Sequence, residues 1–331
     1  MGSPSDERPL GEFELIDRYF TRSGAAAARP DVVLGIGDDA AVLRLPENTD
    51  LVAAVDTLVE GRHFPQGSTP RSIGHRALAV NLSDLAAIGA TPRWATLALT
   101  LPCADAGWLE EFSAGLDRLA ESHGVALVGG DTTAGPMTIS LQLLGHVARD
   151  GVLRRSGARA GDVLAVTGTL GDAGAGLRLL MGDLLARDAA IAAELIERFE
   201  YPAPRVAFGA SARRIASAAM DLSDGLAGDL PKLCAASGVA ACVDVARLPL
   251  SRALQASVPP SEARDLALSA GDDYELLIAA PPGRFDELAQ IARQLNLTFT
   301  AIGEVRQGSG VAWVLGERPF DTRVRGYDHF R

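Results

Sequence analysis

The sequence predicts a two-domain protein that mixes helices and strands, of α/β or α+β class. Three observations carry this expectation. The chain has 331 residues, against about 150 for a typical domain. Strand-like and helix-like patterns alternate in both halves, with a second half beginning near residue 150, so the expected domains are 1–149 and 150–331. Hydrophobic residues make up 47% and charged residues 22%, enough to fill a core and too apolar for disorder.

Element by element, residues 1–10 are polar. An apolar strand over 32–36 runs into Gly37-Asp38-Asp39 and a second short apolar run. Residues 51–55 read as a strand that ends at Asp56. Helical spacing of Ile73, Ala77, Val80, Leu82 and Leu85 predicts a helix over 72–87, with Gly89 as its stop. A strand over 94–101 follows. Asp105 is placed to cap a helix carrying Trp108, Phe112, Leu116 and Leu119, which stops at Gly124. Strands over 125–128 and 137–147 complete the first half. In the second half a strand over 162–167 enters Gly168-Thr-Leu-Gly-Asp172, and a helix continues to Leu180. Alanine-rich helical pattern covers 187–199 and 205–219. Met220-Asp-Leu-Ser-Asp-Gly225 leads into another helix. Strands are expected at 240–245, 275–280, 298–305 and 310–315, and a helix at 284–295.

Composition excludes several classes of function. The formal charge is −11, and Lys232 is the only lysine. No glycine-rich stretch therefore carries the lysine of a Walker-type phosphate loop. An acidic chain without basic runs argues against nucleic acid. No apolar run is long enough to cross a bilayer, and no export signal opens the chain, so neither membrane nor secretion is expected. Cys103, Cys234 and Cys242 are scattered and odd in number, which fits reduced thiols in the cytoplasm. No G-x-S-x-G elbow, H-E-x-x-H pair or Rossmann glycine pattern occurs in proper context.

The distinctive feature is aspartate in turns. Gly37-Asp38-Asp39, Val55-Asp56-Thr57, Gly129-Gly130-Asp131 and Gly271-Asp272-Asp273 place carboxylates at the ends of predicted strands. Asn81-Leu-Ser-Asp84 and Asp221-Leu-Ser-Asp-Gly225 place them on or before helices. Hard cations such as Mg²⁺ take oxygen ligands, and a phosphate enzyme combines few carboxylates with waters and substrate oxygens. For any single Asp in such a turn, capping and Asx turns are the favoured explanation. Asp84 differs, because it lies inside an apolar helical pattern where a lone buried carboxylate is costly. Gly168-Thr-Leu-Gly-Asp172 resembles a loose phosphate-cradling turn before a helix N-terminus. His63, with no second histidine nearby, is read as a surface residue or as a polar contact to substrate.

Taken in order, the segments resemble the thiamine-monophosphate kinases. The resemblance runs from Gly11-Glu-Phe-Glu-Leu-Ile16 through Gly35-Ile-Gly-Asp-Asp-Ala-Ala-Val42, Asp56-Thr-Leu-Val-Glu-Gly-Arg-His-Phe64 and Ala79-Val-Asn-Leu-Ser-Asp-Leu-Ala-Ala-Ile-Gly-Ala90. It continues through Gly129-Gly-Asp-Thr-Thr133, Arg155-Ser-Gly-Ala-Arg159, Val166–Asp172, Met220–Leu226 and Gly271-Asp-Asp-Tyr-Glu-Leu276, and closes at Gly326-Tyr-Asp-His-Phe330. Some pieces are shared with the wider superfamily of aminoimidazole-ribonucleotide synthetase and selenophosphate synthetase. The combination with the terminal motif is specific to the kinases.

The resemblance implies an aminoimidazole-ribonucleotide-synthetase-like fold. Its N-terminal α/β domain binds ATP and Mg²⁺ and makes a homodimer through its sheet; an α+β domain follows. The implied activity is phosphorylation of thiamine monophosphate by ATP, a direct in-line transfer assisted by several Mg²⁺ ions, with no catalytic general base. Asp39, Asp56, Asp84, Asp131, Asp221 and Asp224 are the implied metal ligands. Gly130, Asp131, Arg155 and Ser223 are implied for ATP, and His63, Asp272 and Tyr327 for thiamine phosphate. Three departures from the usual pattern stand out. Asp272 replaces a Glu, Ala54 and Val55 replace Ser-Thr, and Ala134 replaces an Arg. The alternatives are another ATP-dependent member of the superfamily, or a catalytically silent nucleotide-binding relative.

Overall fold

The computed structural model describes residues 11–21, 29–185 and 188–322, so the polar opening and the terminal motif with Tyr327 lie outside the described residues. The chain divides into two compact units. One takes residues up to Glu47, Ala53–Asn81 and Pro92–Leu144; the other takes Asn48–Val52, Leu82–Thr91 and the chain from Gly145 onward. The elements begin with α1 (Glu12–Ile16), β1 (Val32–Leu34), β2 (Val42–Leu43), β3 (Thr49–Val59), α2 (Pro70–Ile88) and β4 (Thr91–Leu101). Next come α3 (Ala106–His123), β5 (Ala126–Ala134), β6 (Thr138–Ala148), β7 (Val163–Thr167), α4 (Asp172–Met181), α5 (Ala189–Glu200) and α6 (Val206–Ala212). The order continues with β8 (Ala218–Asp221), α7 (Leu226–Ser237), β9 (Ala240–Asp244), α8 (Arg252–Ser257), α9 (Pro260–Ser269) and β10 (Leu276–Ala280). It closes with α10 (Phe285–Gln294), β11 (Phe299–Arg306), β12 (Gly310–Leu315) and β13 (Arg318–Pro319).

A four-stranded sheet has the order β3-β6-β4-β5, and β1 pairs antiparallel with β2. Strands β4 and β5 run parallel, which requires a crossover, and α3 supplies it. The helix begins where the Asp105 carboxylate accepts the Trp108 N–H at 2.7 Å, and ends at Gly124 in the left-handed conformation. Its stripe of Leu109, Phe112, Leu116 and Leu119 is buried. Helix α2 ends at Gly89, also left-handed, whose N–H donates to the Ala86 carbonyl.

The larger sheet has the order β13-β12-β9-β11-β7-β10-β8. Only β9 and β12 pair in parallel among its neighbouring strands. All five residues of β10 are buried, as expected of a strand covered on both faces. Leu164, Val166, Met220, Leu230, Leu277 and Ile302 belong to one core cluster here. Among the described residues no helix is long and apolar enough to cross a membrane.

Three expectations about elements need correction. Strand β3 does not end at Asp56 but continues to Val59, because Thr57, Leu58 and Val59 extend the pattern and Thr57 Oγ1 bonds Ser140 Oγ on β6 at 2.7 Å. Asp131 likewise lies within β5 and not in a turn after it. The helix expected over 205–219 stops at Ala212. Ala218–Asp221 is instead a buried strand paired with β10, a case of sheet pairing overriding the helix propensity of alanine. Helices α8 and α9 have no counterpart in the sequence reading. Each has a local start signal, Ser251 accepting from the Leu254 N–H and Pro260 in the first turn, but both are short.

Candidate functional site

In the first unit a cleft of about 920 Å³ is lined by Asp38, Asp39, Leu97, Gly129, Gly130 and Asp131, among others. It brings together Asp39, Asp131 and Gly130 from two distant segments of the chain. Asp38 joins them, although the sequence reading gave it no role. The Asp39 N–H donates to Asp38 Oδ1 at 2.8 Å, so Asp38 shapes the turn while Asp39 is exposed. Gly130 has to be glycine: a Cβ there would lie 1.9 Å from the Leu97 carbonyl oxygen. The missing side chain lets β5 come close to the β4 backbone at this edge of the cleft.

Asp56 and His63 belong to the same unit. Asp56 is half-buried on β3. His63 is fastened to the end of that strand, its Nδ1 accepting the Val59 N–H at 3.0 Å. A neutral imidazole bonded in this way carries its proton on Nε2.

In the second unit two turns are laced together at the end of the β8–β10 pair. The Leu222 N–H donates to the Glu275 carbonyl at 2.8 Å, and the Tyr274 N–H returns to the Leu222 carbonyl at 2.9 Å. The Asp272 N–H reaches the Ser223 carbonyl, also at 2.9 Å. A Cβ on Gly271 would sit 2.5 Å from the Ser223 oxygen, so the close approach depends on glycine. Asp272 and Tyr274 have φ of 59° and 49°, values that side-chain-bearing residues adopt rarely and that the cross-turn bonds hold in place. The result groups Asp221, Ser223, Asp224 and Asp272.

Their surroundings differ. Asp221 is buried and accepts the Ser83 hydroxyl from α2 at 2.9 Å. Asp84, the next residue of α2, is half-buried, although Ser83 and Leu85 on either side are fully buried. The apolar pattern around Asp84 therefore does not enclose its carboxylate. Asp224 receives the Lys232 ammonium at 2.5 Å. Lys232 also bonds Asp229, a buried carboxylate that sequence reasoning missed, and Asp229 accepts the N–H groups of Ser223 and Asp224. Burial pushes the Asp229 carboxyl above its ordinary value, with Lys232 opposing. Arg155 is exposed, and its carbonyl accepts the Ser237 hydroxyl at 2.6 Å.

The two carboxylates of Gly271-Asp272-Asp273 are sorted by the fold. Asp272 is half-buried and accepts the Tyr274 hydroxyl at 3.3 Å. Asp273 is buried and accepts the Gly171 N–H at 2.7 Å and the Ala173 N–H at 3.4 Å. Gly168–Asp172 is therefore not a phosphate cradle. The N-terminus of α4 is occupied by the chain's own carboxylate. Glu275, fully buried, accepts from Arg205, from Arg198 at 2.9 Å and from the Thr167 hydroxyl at 2.7 Å. Burial would raise its pKa, but the bonds and charge of Arg205, then the charge of Arg198, outweigh it and hold the carboxyl low. Asp273 goes the other way, pushed well up by burial with neighbouring carboxylates adding to it. Two arginines do not balance three neighbouring carboxylates, which fits the raised Asp273 carboxyl.

Comparison with known proteins finds relatives along most of the chain. The family model of the AIR synthase related protein, N-terminal domain, matches residues 37–147, and that of the C-terminal domain matches 159–315. The thiamine-monophosphate kinase of Escherichia coli (strain K12) is 46% identical over 97% of this chain and 98% of its own. The crystal structure of thiamine-monophosphate kinase from Stenotrophomonas maltophilia K279a superposes with a TM-score of 0.85 at 47% identity, covering 92% of this chain and 96% of that one. AaThiL complexed with AMPPCP and TMP superposes with a TM-score of 0.76 at 32% identity, over 98% of this chain and 100% of that one. This chain belongs to the thiamine-monophosphate kinase family.

Proposed function

We propose that the chain is an ATP-dependent kinase that phosphorylates thiamine monophosphate to thiamine diphosphate. The observation that carries the reading is the 46% identity to the E. coli kinase along essentially the whole of both chains. The AMPPCP and TMP held by AaThiL support a site that takes a nucleotide together with a second ligand. Residues 1–149 are assigned to nucleotide and metal binding and to dimerisation, and 150–331 to the second domain.

Donor and acceptor are both anionic, so their meeting requires cations among carboxylates. The donor set fits Mg²⁺, which takes one or two carboxylates and completes its shell with waters and phosphate oxygens. No group of three or more His, Cys, Asp or Glu gathers for a metal among the described residues. A shell shared with phosphate needs no such group. Asp39, Asp56, Asp84, Asp131, Asp221 and Asp224 are the proposed ligands. Bound there, the ions would neutralise phosphate charge during transfer.

The remaining work is positioning. Gly130 lets the nucleotide approach the β5 backbone, and Ser223 and Arg155 supply polar contacts to it. His63 offers its Nε2 proton to a phosphate oxygen. Asp272, with Tyr327 from the terminal motif, is assigned to the thiamine end, where a carboxylate suits the thiazolium cation. A phosphate oxygen is ionised at neutral pH, so the nucleophile needs no general base and no covalent enzyme intermediate. Leu51 and Val55, 54% and 63% exposed on the edge strand β3, support a homodimer that covers this sheet. The free cysteines fit a cytoplasmic setting. Incubating the purified chain with ATP, Mg²⁺ and thiamine monophosphate and separating the products tests the reading: thiamine diphosphate is expected, and its absence at high enzyme concentration contradicts it.

A further inference from the structure

Lys232, the only lysine of the chain, reaches from α7 to the turn assigned above to metal and nucleotide. Its Nζ lies 2.5 Å from Asp224 Oδ2 and 2.9 Å from Asp229 Oδ1. Asp229, only 1% exposed, turns its other oxygen to the N–H groups of Ser223 and Asp224, at 3.0 and 2.9 Å. A closed ring results, from turn backbone to Asp229, to Lys232, to Asp224 and back to the turn. Asp229 is the buried anchor of that ring. The Lys232 side chain is 46% exposed, and an ion pair this open adds little to stability. What it does supply is a positive charge on the carboxylate that a divalent ion would use.

We propose that Lys232 is a resident cation for Asp224, occupying its carboxylate until a divalent metal arrives with the nucleotide, and so a positioning residue that lowers metal affinity in the nucleotide-free protein. The inference rests on the reading of Asp224 as a metal ligand. Two properties make the exchange feasible. The ammonium is a point charge on a flexible stem, so it can leave Asp224 without moving α7. Asp229 keeps its two backbone bonds when Lys232 moves, so the turn holds its shape.

The sign of the effect separates this role from a structural one. If Lys232 only braces the turn, removing it loosens Asp224 and weakens metal binding. If it competes with metal, removing it strengthens binding. The test is a titration of the full-length, nucleotide-free protein with Mn²⁺, read by electron paramagnetic resonance of the unbound ion. Lys232→Met should tighten the Asp224-dependent component about fivefold, the effect of deleting one adjacent charge in a water-exposed setting. Lys232→Gln should act the same way, and Lys232→Arg, which keeps the charge, should bind as the parent does. Adding AMPPCP should shrink the difference between Lys232→Met and the parent. Unchanged or weaker binding in both neutral variants, with Asp224→Asn still lowering affinity, overturns the proposal and leaves Asp224 as a ligand. If Asp224→Asn leaves Mn²⁺ binding unchanged in the parent, the ligand assignment fails and the proposal with it.

Discussion

Asp272 and Asp273 are adjacent carboxylates in one turn, and their surroundings give them different chemistry. Asp272 is half-buried in a left-handed turn and accepts the Tyr274 hydroxyl. Asp272→Ala should therefore raise KM for thiamine monophosphate about tenfold and leave KM for ATP nearly unchanged, the signature of lost substrate binding; steady-state kinetics with each substrate varied checks this. Asp273 is buried against the α4 N-terminus with a raised pKa. A raised carboxyl keeps its proton in the folded protein while the unfolded chain releases it, so its contribution is full below the ordinary Asp range, about pH 4. That contribution declines as pH rises through the folded value. Asp273→Asn removes the decline, so its melting temperature should gain on the parent's as pH rises above the ordinary Asp range. A gap that stays constant as pH rises contradicts a raised Asp273. The sequence showed two equal carboxylates here, because charge and spacing carry no record of which one the sheet turns inward. Asp84→Asn should lower kcat about a hundredfold or more if its charge holds metal, with near-normal unfolding; near-normal turnover instead marks it as structural.

The legible elements carry their own start and stop signals. Helix α3 was readable from Asp105, an apolar stripe and Gly124, and α2 from its stripe and Gly89. The core of the second unit was less readable, since Glu275 meets Thr167, Arg198 and Arg205 across long stretches of chain. Gly168 is part of that arrangement: a Cβ there would lie 1.9 Å from Glu275 Oε1, so its glycine makes room for a carboxylate and not for a phosphate. Replacing Glu275 with Gln leaves Arg198 and Arg205 without their shared counter-charge. Removing one partner of a buried ion cluster costs about 3 to 5 kcal/mol, to be read from urea unfolding. The Glu275 backbone carbonyl accepts the Leu222 N–H, so a shift of this residue on losing its ion pairs reaches the Asp221–Asp224 turn, and the same variant should lower activity at temperatures where the fold persists. On β5, Gly130→Ala places a Cβ against the Leu97 carbonyl, and loss of activity together with lowered stability is expected.

At the scale of the whole molecule, the order of the motifs was the most legible feature, because each functional turn keeps its local sequence wherever the chain carries it. Which carboxylates share a surface was not legible. Asp39 and Asp131 meet in one cleft, whereas Asp221, Ser223 and Asp272 meet at another turn pair. The exposed Leu51 and Val55 on β3 lead to the expectation that Val55→Asp shifts the protein from dimer to monomer in sedimentation velocity; a parent that sediments as a monomer contradicts the dimer. In the proposed reaction a phosphoryl group passes directly from ATP to thiamine monophosphate between carboxylate-held cations. A single-turnover experiment with γ-labelled ATP, quenched at successive times with Mg²⁺ present or chelated by EDTA, tests it most directly. The label should appear in the terminal phosphate of thiamine diphosphate with no labelled protein on the way, and EDTA should stop the transfer. Label trapped on the protein before product forms, or undiminished transfer in EDTA, would contradict direct metal-assisted transfer.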